Sequence, residues 1–276
     1  MPHPSDYLAA FDKPPFLFAV TGARALPGPP LVALMTELDG TESANKSVLS
    51  RMVDWGHLAV ERSGRVGVYR LGGTLREDYE AIAARRRPDP WDGRLHALLL
   101  DPDGVDSVER ERFRSAAVRH GYRVLQPGLL IGARDASAPL VGWVRDLGAT
   151  AFWMDADAAR LRALVARAWQ LEDLGQRYTE AVAHGRRVVA DADGSPGPDA
   201  LRLLHRATRP VTELAVRTRG LPAELLPDDW PLAELRDFLD DAYTRLGPDA
   251  SAYARAVVAD SPHATLARWR PERVLG

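Results

Sequence analysis

The sequence predicts an α+β protein built from several domains. A helix runs directly into a short hairpin between residues 43 and 71, strands and helices alternate between residues 95 and 154, and helical periodicity dominates from residue 157 onward. A chain of 276 residues also exceeds the length that one hydrophobic core usually serves. We therefore predict three domains, with the boundaries 1–87, 88–156 and 157–276.

The first domain has the element order of a winged helix-turn-helix. An apolar stripe at helical spacing follows the prolines of residues 27–30 and predicts a helix that ends before Gly40. Residues 41–43 offer N-cap side chains for a second helix, which runs to about Asp54. Two short strands then flank Ser63-Gly64 as a hairpin.

The second of these helices has the composition of a DNA-reading surface. Its apolar face carries Ala44, Val48, Leu49 and Met52. Its polar face carries Ser43, Lys46, Ser47, Ser50 and Asp54, with Arg51 on the flank. Short hydroxyl side chains allow close approach to a major groove, and a cation can reach a guanine edge or a phosphate. Arg62 and Arg65 near the hairpin tip would contact phosphate. The alternative is an ordinary solvent-exposed helix and hairpin.

The middle domain alternates strands and helices in the order βαββαβ, which is typical of a ferredoxin-like fold. The predicted elements are Leu95–Leu100, Ser107–His120, Tyr122–Gln126, Leu129–Gly132, Ser137–Leu147 and Thr150–Met154. The third domain begins with one helix over residues 157–184. After a loop at residues 191–199, two or three further helices are interrupted at Leu221-Pro222 and at residues 226–231.

The composition excludes several classes of protein. With 46% hydrophobic and 27% charged residues, the chain is globular, and the absence of cysteine excludes a disulfide scaffold and thiol catalysis. The N-terminus lacks the basic and apolar segments of a secretory signal, and no stretch approaches the roughly 20 apolar residues of a membrane span, so we predict a cytoplasmic protein without membrane contact. A net charge of −2 provides no overall attraction to nucleic acid, although a local basic surface is enough for a specific reader.

Enzyme signatures are missing: the chain has no GxGxxG, P-loop lysine, HExxH or GxSxG. We therefore predict no catalytic residue, no metal ligand and no cofactor. Asp101 and Asp103, with Asp106 nearby, form the one pattern that could hold Mg²⁺ for phosphodiester hydrolysis. The simpler interpretation is a turn followed by a helix that Asp106 or Ser107 caps.

Three of the tryptophans in the second and third domains could line an apolar pocket for a small ligand: Trp91, Trp169 and Trp230. The alternative is that they pack at domain interfaces.

Several short motifs together resemble one family, the PaaX-type repressors of phenylacetate degradation. In the first half of the chain they are Ser50-Arg51-Met52-Val53, Trp55-Gly56-His57-Leu58, Gly64-Arg65, Tyr69-Arg70-Leu71 and Trp91-Asp92-Gly93. In the second half they are Gly128-Leu129-Leu130-Ile131, Trp169-Gln170-Leu171, Tyr178 and the run LPAELLPDDWP from Leu221 to Pro231. That final run is the most specific of them.

The resemblance implies a dimeric bacterial repressor whose middle domain is similar to that of Cas2 nucleases. It implies an aryl-acetyl-coenzyme A thioester as the effector that releases the protein from DNA. It assigns DNA contacts to Lys46, Ser47, Ser50 and Arg51, where Lys46 occupies a position at which the family usually has arginine. The candidate effector-binding residues are Trp91, Trp169, His205, Arg209 and Trp230. The chain departs from the family's pattern at Arg94-Leu95-His96 and at Arg219-Gly220.

The sequence thus predicts a sequence-specific regulator that binds a double-stranded operator as a homodimer and responds to a small molecule. Repression is the expected mode. Two alternatives remain open at this point: a metal-dependent nuclease that uses Asp101, and a protein-interaction module that has lost DNA binding.

Overall fold

The computed structural model describes residues 11–73, 75–77, 90–101, 106–192, 196–215, 217–218 and 221–270. The described chain is α+β, with helices and two four-stranded antiparallel sheets. It forms two compact units. Unit 1 comprises residues 1–87, 181–213 and 233–276, and unit 2 comprises residues 88–180 and 214–232.

Unit 1 begins with the predicted helices and hairpin. The elements are α1 (Lys13–Thr21), β1 (Ala23–Pro27), α2 (Gly28–Leu38), α3 (Glu42–Asp54), β2 (Leu58–Ser63) and β3 (Val66–Leu71). The sequence also predicts a polar exit helix over residues 75–87, of which only residues 75–77 are among the described residues.

The first sheet contains two strands that the sequence pattern did not predict. Its order is β2-β3-β1-β8, where β8 is the two-residue strand Arg268–Trp269. β1 lies between β3 and β8. Its Leu26 pairs with Tyr69 of β3, and its Ala23 pairs with Trp269 of β8. β8 has only two residues, and both β1 and β8 depend on a partner that is distant in sequence.

The second sheet belongs to unit 2 and has the predicted βαββαβ order. Its elements are β4 (Leu95–Leu99), α4 (Ser107–Arg119), β5 (Arg123–Gln126), β6 (Leu129–Gly132), α5 (Val141–Asp146) and β7 (Thr150–Met154). The strand order is β5-β6-β4-β7, so β5 and β7 are the two edges. The core beside this sheet is formed by Leu98, Leu100, Phe113, Ala116, Ala117, Tyr122, Leu130 and Leu140. The helix predicted over residues 137–147 starts as a 3-10 turn at Ala138–Leu140, with a proline in its first turn.

The remaining chain is helical, as predicted, but its first helix is divided. The elements are α6 (Ala158–Trp169), α7 (Leu171–Ala190), α8 (Pro198–Ala215) and α9 (Leu232–Ala259). Gln170 breaks the predicted helix because it adopts a left-handed conformation with φ 54°. Trp169 and Leu171 are both buried, yet residues two apart point to opposite sides of a continuous helix. The break allows both side chains to be buried.

Among the described helices, none combines the length and the apolar character that a bilayer-crossing segment needs.

Candidate nucleic-acid interface

Helix α3 starts with a side-chain cap. The Thr41 hydroxyl accepts a hydrogen bond from the Ala44 backbone N–H at 3.3 Å, as the N-cap prediction requires. Glu42 in the first turn adds a negative charge near the positive end of the helix dipole. The beginning of the helix is therefore determined locally.

The buried face of α3 differs from the prediction at one residue. Ala44 is exposed, whereas Asn45 is only 2% exposed and lies on the same face as Val48, Leu49 and Met52. Positions 45, 48, 49 and 52 follow the i, i+3, i+4, i+7 spacing of a core-facing stripe. That spacing was the signal in the sequence, and the polar nature of asparagine concealed it.

Asn45 joins α3 to the two helices before it. Its side-chain amide donates to the Thr36 hydroxyl at 3.1 Å and to the Asp39 carbonyl at 3.2 Å. The Lys13 ammonium donates to Asn45 Oδ1 at 3.3 Å and to the Asp39 carbonyl at 2.6 Å. Burial lowers the pKa of Lys13, against the opposing effect of Asp39 and Asp12. The orientation of the helix thus depends on a polar network around the buried Asn45 side chain.

We expect Asn45→Ala to lower the free energy of unfolding by about 1–3 kcal/mol, because it removes three hydrogen bonds through which the buried Asn45 side chain joins α3 to the preceding helices. Urea denaturation followed by circular dichroism measures this change. The control is Ser50→Ala, which replaces an exposed polar residue on the same helix. It should leave stability unchanged or slightly raised. Equal losses for the two variants would contradict the role of Asn45.

The outer face of α3 presents the predicted residues to solvent. Ser43, Lys46, Ser47, Ser50 and Arg51 are all exposed. The Ser47 hydroxyl donates to the Ser43 carbonyl at 3.0 Å, which keeps that side chain close to the helix surface. Hydroxyls and long cations therefore lie side by side, which is the composition of a groove-reading helix.

Arg51 is held in place by two contacts. Its Nε donates to the Ser47 carbonyl at 3.4 Å, and its guanidinium lies 5.6 Å from the centroid of the Phe11 ring. Phe11 also packs edge-on against Trp55 at 5.0 Å. The sequence contained no signal for Phe11, because it lies forty residues before Arg51 and outside the helix-hairpin pattern.

Lys46 is paired within its own helix. Its ammonium lies 2.5 Å from Glu42 Oε1, and both side chains are exposed. The hydrogen bond from Lys46 and its charge hold the pKa of Glu42 below the usual value. A phosphate that binds Lys46 has to compete with Glu42 for this ammonium.

The hairpin after α3 ends in a two-residue turn. Ser63 pairs with Val66, which leaves Gly64 and Arg65 at the tip, and Gly64 adopts φ 60°. Glycine at the first central position is what such a turn requires. Arg62 and Arg65 are both exposed beside this tip, as predicted.

Two of the five candidate effector residues meet around one carboxylate in unit 1. His205 Nε2 lies 2.8 Å from Asp12 Oδ2, and Arg209 Nε lies 3.3 Å from the same oxygen. His205 is buried against the Phe16 ring, whose centroid is 4.9 Å away. This network connects α8 to the start of α1, a contact between residues almost two hundred positions apart.

The three candidate tryptophans lie in unit 2. Trp169 is buried with the Arg123 guanidinium 5.7 Å from its ring, and Trp230 packs edge-on against Tyr178 at 5.6 Å. Burial raises the pKa of Tyr178 to about 12. Trp91 donates from its indole N–H to the Arg94 carbonyl at 2.7 Å.

Arg123 is a cation that the sequence interpretation missed. It donates to the carbonyls of Val118, Tyr122 and Arg217, at 3.2, 2.8 and 2.8 Å. Burial and the nearby charge of Arg217 lower its pKa to about 10. The guanidinium thus satisfies three backbone carbonyls beside the buried indole of Trp169.

Asp106 caps α4, where its Oδ2 accepts from the N–H groups of Val108 at 3.0 Å and Glu109 at 3.4 Å. The capping interpretation is thereby confirmed for Asp106, while Asp103 lies outside the described residues. No group of three His, Asp or Glu side chains among the residues that the structure describes could hold a metal ion.

Comparison with known proteins supports the family resemblance. Residues 169–256 match the family model of the PaaX-like protein C-terminal domain. The transcriptional repressor PaaX of Escherichia coli (strain K12) is 26% identical over 242 residues, which cover 81% of this chain and 75% of the repressor. These two matches confirm the resemblance to the PaaX-type family.

Among solved structures, the uncharacterized protein Rv0674 from Mycobacterium tuberculosis matches with 23% identity and a TM-score of 0.40. The match covers 81% of this chain and 89% of that chain.

Proposed function

We propose that this chain is a sequence-specific DNA-binding transcriptional regulator that acts as a homodimeric repressor in the cytoplasm. The observation that carries the proposal is the exposed face of α3, where three serines alternate with Lys46 and Arg51. The similarity to a protein named as a transcriptional repressor supports the same function.

We assign the recognition role to α3 within a winged helix-turn-helix over residues 1–87. The order α2, α3, β2, β3 supports this assignment, as do the exposed Arg62 and Arg65 at the hairpin tip. The α3 side chains would contact base edges, and the wing arginines would contact phosphates and orient the domain on the duplex.

The middle segment, residues 88–156, is assigned as a ferredoxin-like, Cas2-like scaffold and dimerisation domain. The βαββαβ order supports this, since β4 lies inside the sheet between β6 and β7. We assign residues 157–276 as the helical C-terminal domain, which overlaps the matched PaaX-like region. Two winged helices related by a twofold axis would bind an inverted repeat.

The effector in this proposal is a small molecule of the aryl-acyl-coenzyme A class. Trp169 and Trp230 are the aromatic candidates in unit 2, and Arg123 beside Trp169 adds a cation for an anionic group. Trp91, His205 and Arg209 remain candidates for the same role. Effector binding would favour a state in which the two winged helices cannot both enter successive grooves. The free-energy shift between the two states equals the difference in their binding free energies for the effector.

The direct test is fluorescence anisotropy of the full chain on DNA from upstream of its own gene, across a salt series, with and without phenylacetyl-coenzyme A. Tight, salt-dependent binding that the thioester releases would support both the regulator and the effector class. Tight binding that the thioester does not change would support the DNA-binding function but not the effector class. If operator candidates from a genome-wide pull-down bind no better than random DNA, the proposed function is wrong.

The wing arginines provide a second test. We expect Arg62→Ala or Arg65→Ala to weaken binding to all DNA sequences alike and to lower the salt slope by about one unit per residue, because each removes one phosphate contact. The measurement is the slope of log affinity against log salt for operator and random DNA. An unchanged slope in both variants would show that the hairpin tip does not touch the backbone.

A further inference from the structure

The edge strand β7 is exposed along nearly its whole length. Thr150, Ala151, Phe152 and Trp153 are all exposed, although residues of a strand that packs one face on a core normally alternate. β7 pairs with β4 on one side, and no strand of the described chain pairs with its other edge. The sequence TAFWM contains no charge and no proline, the features with which proteins usually protect such an edge.

A shallow apolar groove of about 480 Å³ lies directly beside this edge. It is lined by Ser137, Val141, Val144, Arg145, Gly148, Ala149 and Ala151. Val141 at its rim is 59% exposed. The groove and the strand together form one apolar surface, which we call the β7 surface.

We propose that the β7 surface is a self-association site, at which a second copy of this chain pairs antiparallel to β7 with Phe152 opposite its own counterpart. This inference rests on the proposed homodimer and names the surface that forms it. An interface about a twofold axis must be self-complementary, and an antiparallel pair of identical strands meets that requirement.

Side-chain sizes support this register. With Phe152 at the centre, Trp153 of each copy lies opposite Ala151 of the other, so the largest side chain of the strand meets a small one. Ala151 also lines the groove. In each chain the Trp153 ring packs against His96 at 5.0 Å and lies 4.7 Å from the Arg94 guanidinium. Trp153 is 38% exposed, and this exposed part would cover Ala151 of the other copy.

Charges at the groove support the same register. Continuing the pairing places Asp155 of one copy opposite Ala149 of the other, and Ala149 lines the groove together with Arg145. Arg145 and Asp155 are both exposed in the single chain, where Arg145 Nε also lies 2.9 Å from Asp146 Oδ1 in an exposed pair of small net energy. The twofold axis thus brings an acidic residue towards a basic one twice, at the two ends of the paired strands.

Two substitutions at opposite edges of the same sheet test the surface. Phe152 is 36% exposed on β7, and Val124 is 37% exposed on β5, the other edge. We expect Phe152→Lys to weaken self-association by roughly 100-fold in analytical ultracentrifugation, because it places two like charges together in an apolar interface. Val124→Lys should leave the dimer intact. A monomeric native chain, or a dimer unaffected by Phe152→Lys, would overturn the proposal.

A cysteine cross-link tests the register without relying on loss of assembly. The chain contains no cysteine, so a single introduced thiol can only form a disulfide between copies. Phe152→Cys should oxidise to a covalent dimer, since opposed Cα atoms of antiparallel strands lie about 4.5–5.5 Å apart, within disulfide range. Thr150→Cys, the control on the same strand, should not, because its copies would lie roughly 13 Å apart. Cross-linking at Thr150 in place of Phe152 would refute the register.

The outcome is independent of the DNA assay. Suppose that Phe152→Lys abolishes the dimer and that the native chain binds neither operator nor random DNA. The β7 surface is then supported, and the proposed function is wrong. If the native chain binds its operator but the dimer persists in Phe152→Lys, the function stands and this surface is wrong.

Discussion

Arg51→Ala is expected to lower affinity for the operator by about 10- to 100-fold, because a bidentate contact to a base is worth roughly 1–3 kcal/mol. Affinity for random DNA should fall far less, so that the preference for the operator over random DNA falls by nearly the same factor. Arg51 is suited to this role because it is exposed on α3 while Ser47 and Phe11 hold its guanidinium. Anisotropy titrations on operator and random DNA measure the ratio of the two affinities directly.

Two further variants isolate the contribution of the guanidinium. Arg206→Ala removes the same charge from an exposed position of α8 and should change binding to operator and random DNA little and equally. Arg51→Lys keeps the charge but loses the planar fork, so it should not restore the preference for the operator. Normal operator binding by Arg51→Ala would mean that α3 is not the recognition helix.

Gly185→Ala is expected to destabilise unit 1 by about 2–3 kcal/mol, despite the higher helix propensity of alanine. Gly185 lies in α7, where an added Cβ would be 2.6 Å from Phe238 Cε2 and 2.8 Å from the Ala207 carbonyl oxygen. Phe238 on α9 is buried, so its ring cannot move into solvent. Urea denaturation should show a lower midpoint with an unchanged m-value.

The matched control for this variant is Gly247→Ala in α9. An added Cβ there meets only Tyr243, at an ordinary contact distance of 3.7 Å. The substitution should leave stability unchanged or raise it by up to about 1 kcal/mol, because alanine favours the helix. If the two variants denature alike, the close approach of α7, α8 and α9 at Gly185 is not important for stability.

Most of the candidate DNA interface could be predicted from local patterns. Thr41 caps α3, the hairpin turns at Gly64, and Lys46, Arg51, Arg62 and Arg65 are exposed. These features depend on neighbours within a few residues, where capping, turn geometry and periodicity act. Asn45 was not placed on the buried face, although its spacing matched the core stripe, because asparagine is polar.

The candidate effector residues were less predictable. The sequence names Trp169, His205 and Trp230, but their surroundings depend on residues far away in the chain. His205 meets Asp12, and Trp169 lies beside Arg123, a cation that no local pattern distinguishes from the other arginines. Residue type identified candidates here, and only the fold supplied their partners.

The sequence by itself determined the α+β class, most of the order of helices and strands, the hairpin, and the exposed polar face of α3. The tertiary structure decided that residues 23–27 form a strand, that Arg268 and Trp269 add to the same sheet, that a helix breaks at Gln170, and that β7 leaves an apolar edge exposed. The physical reason is the range of the interactions. Helix periodicity and turns arise between residues close in sequence, whereas strand pairing and burial depend on partners that only the folded chain brings together.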